Sequence, residues 1–310
     1  MRDDLHLALG DIYMQEGMQE EALTEYEAAV RFNPDSNEAR YSLGQSYLTF
    51  GKLDDSRAQF QAVVRLTPAS ATGYYGLGQV ARADGDLQEA VFQFEKAISV
   101  NKDFLNSYRD LGYAYADMGD FYKANEQYSF LSEKNIAEAT QLLDYISQIQ
   151  APKILSVRAT NGYNKNLGPG TSVSQLSSRL SDPGSSKIFS MNFVFSKDMD
   201  RNSITNPYNW TISRASIIAN SGVYNGGLPV PETETSISPI PLNIIYNDLT
   251  NTATIQFKIS QNDEGNATID PRHIVFKFSG EDAYGKAMDL SADEYSGFFS
   301  NKYNNFSAIA

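Results

Sequence analysis

The sequence predicts an α-helical solenoid over about residues 1–150, joined to an antiparallel β-sandwich over about residues 151–310. Three observations predict this fold class. Glycines recur at a fixed spacing of 34 residues, but only in the first half of the chain. Near Ala151 the apolar pattern changes from a helical period to strict alternation. The composition changes at the same place, since nine of the 11 prolines and only 14 of the 38 acidic residues come later.

Two series of glycines define the helical repeat. The first series is Gly10, Gly44, Gly78 and Gly112, and the second is Gly17, Gly51, Gly85 and Gly119. The first series is predicted to lie where two helices approach closely, because glycine has no side chain in the way. The second is predicted to end the first helix of each repeat in a left-handed conformation. Each repeat is therefore a pair of antiparallel helices, and the repeats begin at about Asp3, Asn37, Ala71 and Leu105.

Bulky and apolar residues complete the repeat. The second helices carry a ring at one equivalent position, namely Tyr26, Phe60, Phe94 and Tyr128. These rings are predicted to fill the space between helices, which one repeat cannot bury alone. Residues 139–150 carry apolar side chains at helical spacing and are predicted to form a capping helix over the fourth repeat. No such segment precedes Asp3, so we expect further repeats or another chain to cover that end.

This pattern resembles the tetratricopeptide repeat over about residues 3–138. The resemblance implies a protein without enzymatic activity, in which the first helices line a concave groove that binds a protein or peptide. Carried over position by position, the groove is lined by Tyr41, Gln45, Tyr75, Gln79, Arg82, Asn106, Arg109 and Tyr113, with Leu7, Asp11, Met14 and Leu48 at equivalent positions. The carboxylate clamp of chaperone-binding members is not matched, because Leu7 and Asp11 stand where it would begin.

Two residue types give the predicted groove its chemistry. Tyrosine offers a large ring with a polar tip at low entropic cost, which suits an anchor for a ligand. Arg82 and Arg109 are scarce cations in a half with 12 Lys or Arg and 24 Asp or Glu residues, and they could pair with a ligand carboxylate. The alternative is that the tyrosines pack in the core and that each arginine pairs with a neighbouring acid.

Alternating apolar residues predict the strands of the second half. The three clearest stretches are residues 189–195, 253–259 and 274–278. Shorter candidates are Ile154–Arg158, Trp210–Ser213, Ser216–Ala219 and Leu242–Tyr246. Short strands separated by Gly, Pro, Asn and Asp are typical of a β-sandwich.

Two strings in this half resemble parts of S-layer-type bacterial Ig-like domains. Phe193–Asp200, followed by Ser203 and Ile204, is similar to a strand and turn of those domains, and Ser279–Asp289 is similar to their closing segment. Lys286 departs from the asparagine that usually follows the glycine of that segment. The resemblance covers about residues 152–298 and implies a non-enzymatic module of the bacterial cell envelope or exterior.

Two stretches are long for the connections of a compact sandwich, residues 161–186 and 220–241. Loops of this length are either mobile or functional. As a contact surface for a protein or a glycan, they would use Tyr163, Trp210 and Tyr224 as anchors.

Composition excludes several kinds of chemistry. Without cysteine the chain has no disulfide, thiolate metal site or cysteine nucleophile. A net charge of −13 argues against binding to nucleic acid or anionic lipid. The two histidines, His6 and His273, are predicted to be structural, because no nucleophile motif or zinc ligand set accompanies them. The acidic clusters at 198–202 and 263–270 are expected to be solvated turns rather than calcium sites, and no cofactor is predicted.

Three functions remain open. The first is capture of a protein or peptide by the solenoid, with the sandwich docking or spacing it in the bacterial envelope or exterior. The second is a structural subunit of an extracellular filament or surface layer, which assembles with copies of itself through the exposed first repeat. The third is a carbohydrate-binding or enzyme-accessory module. Direct membrane insertion is not expected, since no apolar run is long enough.

Overall fold

Nine helices precede residue 150 in the computed structural model, which describes residues 2–216 and 223–296. They are α1 (Arg2–Gln15), α2 (Gln19–Phe32), α3 (Asn37–Thr49), α4 (Leu53–Leu66), α5 (Ala71–Asp84), α6 (Leu87–Val100), α7 (Leu105–Asp117), α8 (Phe121–Lys134) and α9 (Ile136–Ile149). Each helix packs on the next, and α9 packs on both α7 and α8. The predicted solenoid of four helix pairs and a capping helix is confirmed.

The capping helix begins at Ile136 instead of residue 139. Asn135 explains the difference, because its side-chain oxygen accepts hydrogen bonds from the backbone N–H groups of Ala137 (3.0 Å) and Glu138 (3.5 Å). A side chain that accepts in this way satisfies donors that the first turn of a helix leaves unpaired. The inner face of α9 buries Ala139, Leu142 and Ile146.

Glycines of the two series have different structural roles. A Cβ atom at Gly44 would lie 2.8 Å from the Phe60 ring, and one at Gly78 would lie 2.6 Å from the Phe94 ring. Both rings are fully buried between the two helices of their repeat. The two helices can pack this closely only because Gly44 and Gly78 carry no side chain. Gly85 ends α5 with a φ of 85°, in the left-handed region that favours glycine.

The chain divides into two compact units between Gln150 and Ala151. The second unit contains β1 (Ile154–Thr160), β2 (Thr171–Ser172), β3 (Ser186–Phe195), β4 (Trp210–Arg214), β5 (Asn243–Asn247), β6 (Thr252–Ser260), β7 (Thr268–Ile269), β8 (Ile274–Phe278) and β9 (Glu294–Ser296). They form three sheets, with strand orders β1-β3-β6-β5, β4-β8-β9 and β2-β7. Within these sheets every paired strand is antiparallel.

The two larger sheets share one hydrophobic core. The ring of Phe193 on β3 lies 5.2 Å from Trp210 on β4 and 5.7 Å from Phe276 on β8. Phe257 on β6 lies 5.2 Å from the same Phe276 ring. These aromatic contacts join the inner faces of the sheets, as alternation along each strand requires. The antiparallel β-rich class of this unit is confirmed, and the Ig-like topology stays a prediction.

The stretch 161–186 is largely built into this core rather than forming a long loop. It contains β2, a short helix α10 (Val173–Leu176) and a 3₁₀ turn (Ser178–Leu180). Val173 and Leu180 have no exposed surface. The sequence pattern missed these elements because each is too short to show a period.

The three aromatic residues predicted as ligand anchors are core residues, so that prediction is wrong. Tyr163, Trp210 and Tyr224 are 4%, 1% and 6% exposed. Their polar atoms also bond inside the unit: the Trp210 indole N–H donates to the Ile204 carbonyl at 2.9 Å, and the Tyr163 hydroxyl donates to the Pro271 carbonyl at 3.3 Å. The carbohydrate-binding hypothesis therefore loses the residues that favoured it.

Some predictions fall partly outside the described residues. Of the predicted strand Ser216–Ala219, only Ser216 is described, and it lies outside any strand. Residues 220–222 of the second predicted loop and the tail 297–310 also lie outside. The described part of that loop is tied to β4, since the backbone N–H of Ile212 donates to the Pro239 carbonyl at 2.7 Å.

The two strings that resemble S-layer-type domains lie against each other. Asp282 has no exposed surface, and its carboxylate lies 2.5 Å from the ammonium of Lys197. The backbone N–H groups of Tyr284 (2.9 Å) and Lys286 (2.8 Å) donate to the other carboxylate oxygen. Because the turn uses the backbone of Lys286 and not its side chain, the departure from asparagine at that position does not disturb it.

Candidate protein-binding groove

The first helices of successive repeats place equivalent residues side by side. Tyr41, Tyr75 and Arg109 occupy one position in α3, α5 and α7, and Gln45, Gln79 and Tyr113 occupy the position one turn later. A cleft of about 400 Å³ opens along these helices. It is lined by Leu48, Gln79, Arg82, Ala83, Phe94, Asp110 and Asp117. The structure thus brings Gln79 and Arg82 of the predicted groove to one cleft.

A chain of hydrogen bonds connects the three repeats along this surface. The amide of Gln45 donates to the Tyr41 hydroxyl (3.2 Å) and to the Gln79 side-chain oxygen (2.7 Å). The amide of Gln79 donates in turn to the Tyr75 hydroxyl (3.0 Å). The Tyr75 hydroxyl donates to Asp110 at 2.9 Å. These bonds fix the side chains of α3 and α5 before any ligand arrives.

Arg109 is held by carboxylates on both sides. Its guanidinium donates to Asp110 at 2.9 Å and to Glu138 of α9 at 2.7 Å. A weaker bond reaches Gln141 at 3.3 Å. The Arg109 side chain is 18% exposed, so the pairs are largely shielded from water. The predicted ligand-binding cation therefore already has two acidic partners within the solenoid.

Arg82 is part of a second network at the cleft. Its Nε donates to Asp117 at 2.7 Å and one of its terminal nitrogens donates to the Tyr145 hydroxyl at 2.7 Å, while Tyr145 itself donates to Asp117. The guanidinium lies over the rings of Tyr113 (5.1 Å) and Tyr145 (5.2 Å). Burial alone would lower the pKa of Arg82, but the hydrogen bond and charge of Asp117 outweigh it and raise that pKa.

The predicted groove tyrosines differ in exposure. Tyr75 is 4% exposed, and its ring packs edge-on against Phe104 at 5.1 Å. Burial, with the charge of Asp110 next, raises the pKa of Tyr75, so its hydroxyl stays a donor. Tyr41 and Tyr113 are half-buried, and Asn106 is exposed at the start of α7. Only Tyr41 and Tyr113 can offer part of a ring to a ligand.

Sequence reasoning missed the acids that organise this surface. Asp110 aligns with Ser42 and Gly76, so it is an acid at a position where the other repeats have a small residue. Tyr75 and Asp110 are 35 residues apart, as are Arg82 and Asp117. An acid 35 residues after a groove position, which is one repeat plus one residue, is therefore the sequence signal for both pairs.

Outside the groove, both histidines and one acid of the 198–202 cluster have structural partners. His6 lies 2.6 Å from Glu25 and stacks on Phe32 at 5.1 Å, and His273 lies 2.7 Å from Asp270. In the acidic cluster at 198–202, Asp200 accepts from the backbone of Ser203 and caps the short helix α11 (Arg201–Thr205). Within residues 2–216 and 223–296, no group of three His, Asp or Glu side chains is placed to hold a metal ion. Every helix of those residues is too short or too polar to cross a bilayer.

The β unit contains a second cleft, of about 360 Å³, which Arg214, Tyr224 and Glu234 help to line. The Glu234 side chain is 4% exposed, and its Oε1 has no hydrogen-bond partner in the described part of the chain. A terminal nitrogen of Arg214 lies 3.9 Å from this oxygen. Burial raises the pKa of Glu234 to about 7, although Arg214 opposes the rise.

Comparison with known proteins concerns the repeats. The family model for the TPR repeat matches residues 10–49, and that for the tetratricopeptide repeat matches residues 41–103. No curated protein matches the chain.

Among solved structures, a thermophilic TPR protein of Thermus thermophilus is 23% identical, with a TM-score of 0.39 over 47% of this chain and 91% of that chain. MamA of Desulfovibrio magneticus is 21% identical, with a TM-score of 0.40 over 44% of this chain and 76% of that one. YrrB, a TPR protein with an unusual peptide-binding site, is 18% identical, with a TM-score of 0.37 over 47% and 84%.

The 34-residue period, the nine-helix array and the matched family models agree with one another. Residues before 150 form a solenoid that contains tetratricopeptide repeats, a family that generally mediates contacts with proteins or peptides.

Proposed function

We propose that this chain is a non-enzymatic binding protein whose groove on α3, α5 and α7 captures a segment of a partner protein. One observation carries the proposal: equivalent side chains of successive repeats form an open, pre-ordered cleft. Gln45 and Gln79 are locked by bonds to each other and to neighbouring tyrosines, so binding a ligand costs them little further entropy. Tyr41 and Tyr113 flank this row with partly exposed rings.

We propose that the β unit is an Ig-like module that docks or spaces the solenoid in the bacterial envelope or exterior. Support comes from the two strings of S-layer type, which meet at the buried pair of Lys197 and Asp282. A module built on two sheets with a shared aromatic core suits a spacer, because a well-packed core keeps its shape under load.

Photo-cross-linking in cells tests the capture function. A photoreactive residue at Ala83 lies in the cleft, and one at the exposed Glu126 of α8 is the control outside it. We expect a defined partner to cross-link from position 83 and not from 126. Binding of that partner should then fall at least tenfold in the Gln45→Ala, Gln79→Ala double variant and stay unchanged in Glu126→Ala. Equal cross-linking from both positions, or unchanged binding by the double variant, would refute the proposal.

A structural subunit is the second candidate, and one observation favours it. Leu5 and Ile12 of α1 are 68% and 49% exposed, whereas the equivalent Ala39 and Ser46 of α3 are 1% and 2% exposed, because α3 packs on the preceding repeat. The open face of α1 would therefore gain from contact with another chain. Light scattering across concentration separates the candidates, since growth without limit indicates a subunit and a constant mass indicates the binding protein.

A further inference from the structure

We infer that the groove on α3, α5 and α7 takes a partner segment that carries Lys or Arg side chains, and not one that presents a carboxylate. This inference rests on the proposed capture function and names the chemistry of its partner. It reverses the expectation that Arg82 and Arg109 recognise an acidic ligand. The reasons lie in how the donors, acceptors and charges of the groove are used.

The positive charges of the groove are neutralised within it. Arg109 is paired with both Asp110 and Glu138, and Arg82 is paired with Asp117. Two guanidinium groups thus face three carboxylates at hydrogen-bond distance. A ligand carboxylate would have to displace one of these carboxylates, and it would meet the repulsion of the others in a partly shielded site.

The hydrogen-bonding groups left for a ligand are mainly acceptors. The amide group of Gln45 gives its N–H groups to Tyr41 and Gln79, which leaves its oxygen without a partner in the described chain. Gln79 uses its own N–H groups on Tyr75 and Asp110. A partner that donates, through backbone N–H groups or charged Lys and Arg side chains, matches this surface.

The surrounding charge has the same sign. Asp11 is exposed at the position equivalent to Gln45 and Gln79, and it accepts one bond, from the Tyr26 hydroxyl at 2.7 Å. The whole solenoid carries 12 Lys or Arg against 24 Asp or Glu residues. A cleft within such a surface concentrates negative potential and draws basic segments toward it.

Three labelled peptides test this inference by fluorescence anisotropy. Each has about nine residues, because three neighbouring helices, each about 10 Å wide, span about 30 Å and an extended chain rises about 3.3 Å per residue. The peptides share their apolar positions and differ only in carrying Lys, Gln or Glu elsewhere. We expect the Lys peptide to bind at least tenfold more tightly than the Glu peptide, with an affinity that falls as salt is added.

Paired variants separate groove binding from general attraction to an acidic protein. The groove pair is Asp11→Asn with Asp117→Asn, which removes one charge of the cleft and one charge from α1, at the position equivalent to Gln45 and Gln79. The α8 pair is Glu126→Gln with Glu133→Gln, which removes two exposed charges. Asparagine at position 11 keeps an acceptor for Tyr26. The groove pair should lower the affinity for the Lys peptide about fivefold, and the α8 pair should lower it less than twofold. If the double groove variant is unstable, Asp11→Asn alone should still lower that affinity measurably.

Three results would overturn the inference. Equal losses in the two paired variants would show attraction without a site. Tighter binding of the Glu peptide, with cross-linking from position 83 intact, would leave the capture function standing and refute the basic partner. Failure of all three peptides refutes the basic partner as well. The capture function itself is refuted by absent or unspecific cross-linking from position 83, or by unchanged partner binding in the Gln45→Ala, Gln79→Ala variant.

Discussion

Asp110 is the residue on which the groove depends most, and its removal is the most informative perturbation. Asp110 is 6% exposed. Its carboxylate accepts hydrogen bonds from Tyr75 (2.9 Å), from Arg109 (2.9 Å) and more weakly from Gln79 (3.4 Å). Asp110→Ala leaves the proton of the Tyr75 hydroxyl and one side of the Arg109 guanidinium without an acceptor. Each lost bond is made to a charged carboxylate, and such a bond contributes about 1.5–3 kcal/mol. Because Arg109 keeps its bond to Glu138, we expect Asp110→Ala to lower the free energy of unfolding by about 3 kcal/mol in total. This value is at the lower end of the range for a broken buried ion pair.

The matched control is Asp84→Ala, which removes an exposed partner from the solenoid. Asp84 lies 2.8 Å from Arg57, and the two side chains are 51% and 32% exposed. Pairs of this kind contribute about 1 kcal/mol or less. Urea unfolding followed by far-UV circular dichroism reports the helices of the solenoid. If Asp110→Ala lowers the free energy of unfolding no more than Asp84→Ala does, the claim that Asp110 organises the groove is refuted.

Three further predictions concern packing, pH and assembly. Glu234 has a pKa raised to about 7 from 4.5, so the folded β unit gains stability from it below pH 4.5 and loses that gain as the pH rises through 7. Trp210 is the one tryptophan and lies in that core, so its fluorescence reports unfolding of the β unit in urea. We expect the free energy of unfolding to fall by about 1–3 kcal/mol between pH 4.5 and 7, and to fall by less in Glu234→Gln. Gly78→Ala should destabilise the solenoid by about 1–3 kcal/mol through overlap with Phe94, whereas Gly168→Ala, with open space around it, should change stability by less than about 0.5 kcal/mol. If α1 mediates self-association, Leu5→Lys with Ile12→Lys should abolish the growth in mass seen by light scattering; an unchanged mass distribution contradicts a role for that face.

The repeat was predictable because its contacts recur with the sequence period. Gly44 meets Phe60 and Gly78 meets Phe94, so each pair is the previous pair moved by one repeat. A contact between two residues of the same repeat can be predicted in this way, because both residues recur together with the period. The glycine turn at Gly85 follows the same logic, since a single residue fixes the local conformation.

Burial and pairing in the groove were not predictable from the same period. Tyr41 and Tyr75 are equivalent in sequence, yet only Tyr75 is enclosed, because it contacts Phe104 and Asp110. The residues one repeat earlier, Ser70 and Gly76, are too small to enclose Tyr41 in the same way. In the β unit, Trp210 and Tyr224 lie next to Gly- and Pro-rich segments and so resemble exposed anchors. Their burial depends on Phe193, Phe278 and Asp270, which are distant in the chain and share no period with them.

The pairing of the arginines also decides which variants can test ligand binding. Charge reversal at Arg82 would set a new carboxylate against Asp117, and reversal at Arg109 would set one against Asp110 and Glu138. Like charges at these distances destabilise the folded groove itself. Lost binding in such variants would therefore report a damaged groove and not a lost ligand contact. Neutral replacement of Asp11 avoids this, because asparagine keeps the bond to Tyr26 while the charge offered to a basic partner disappears.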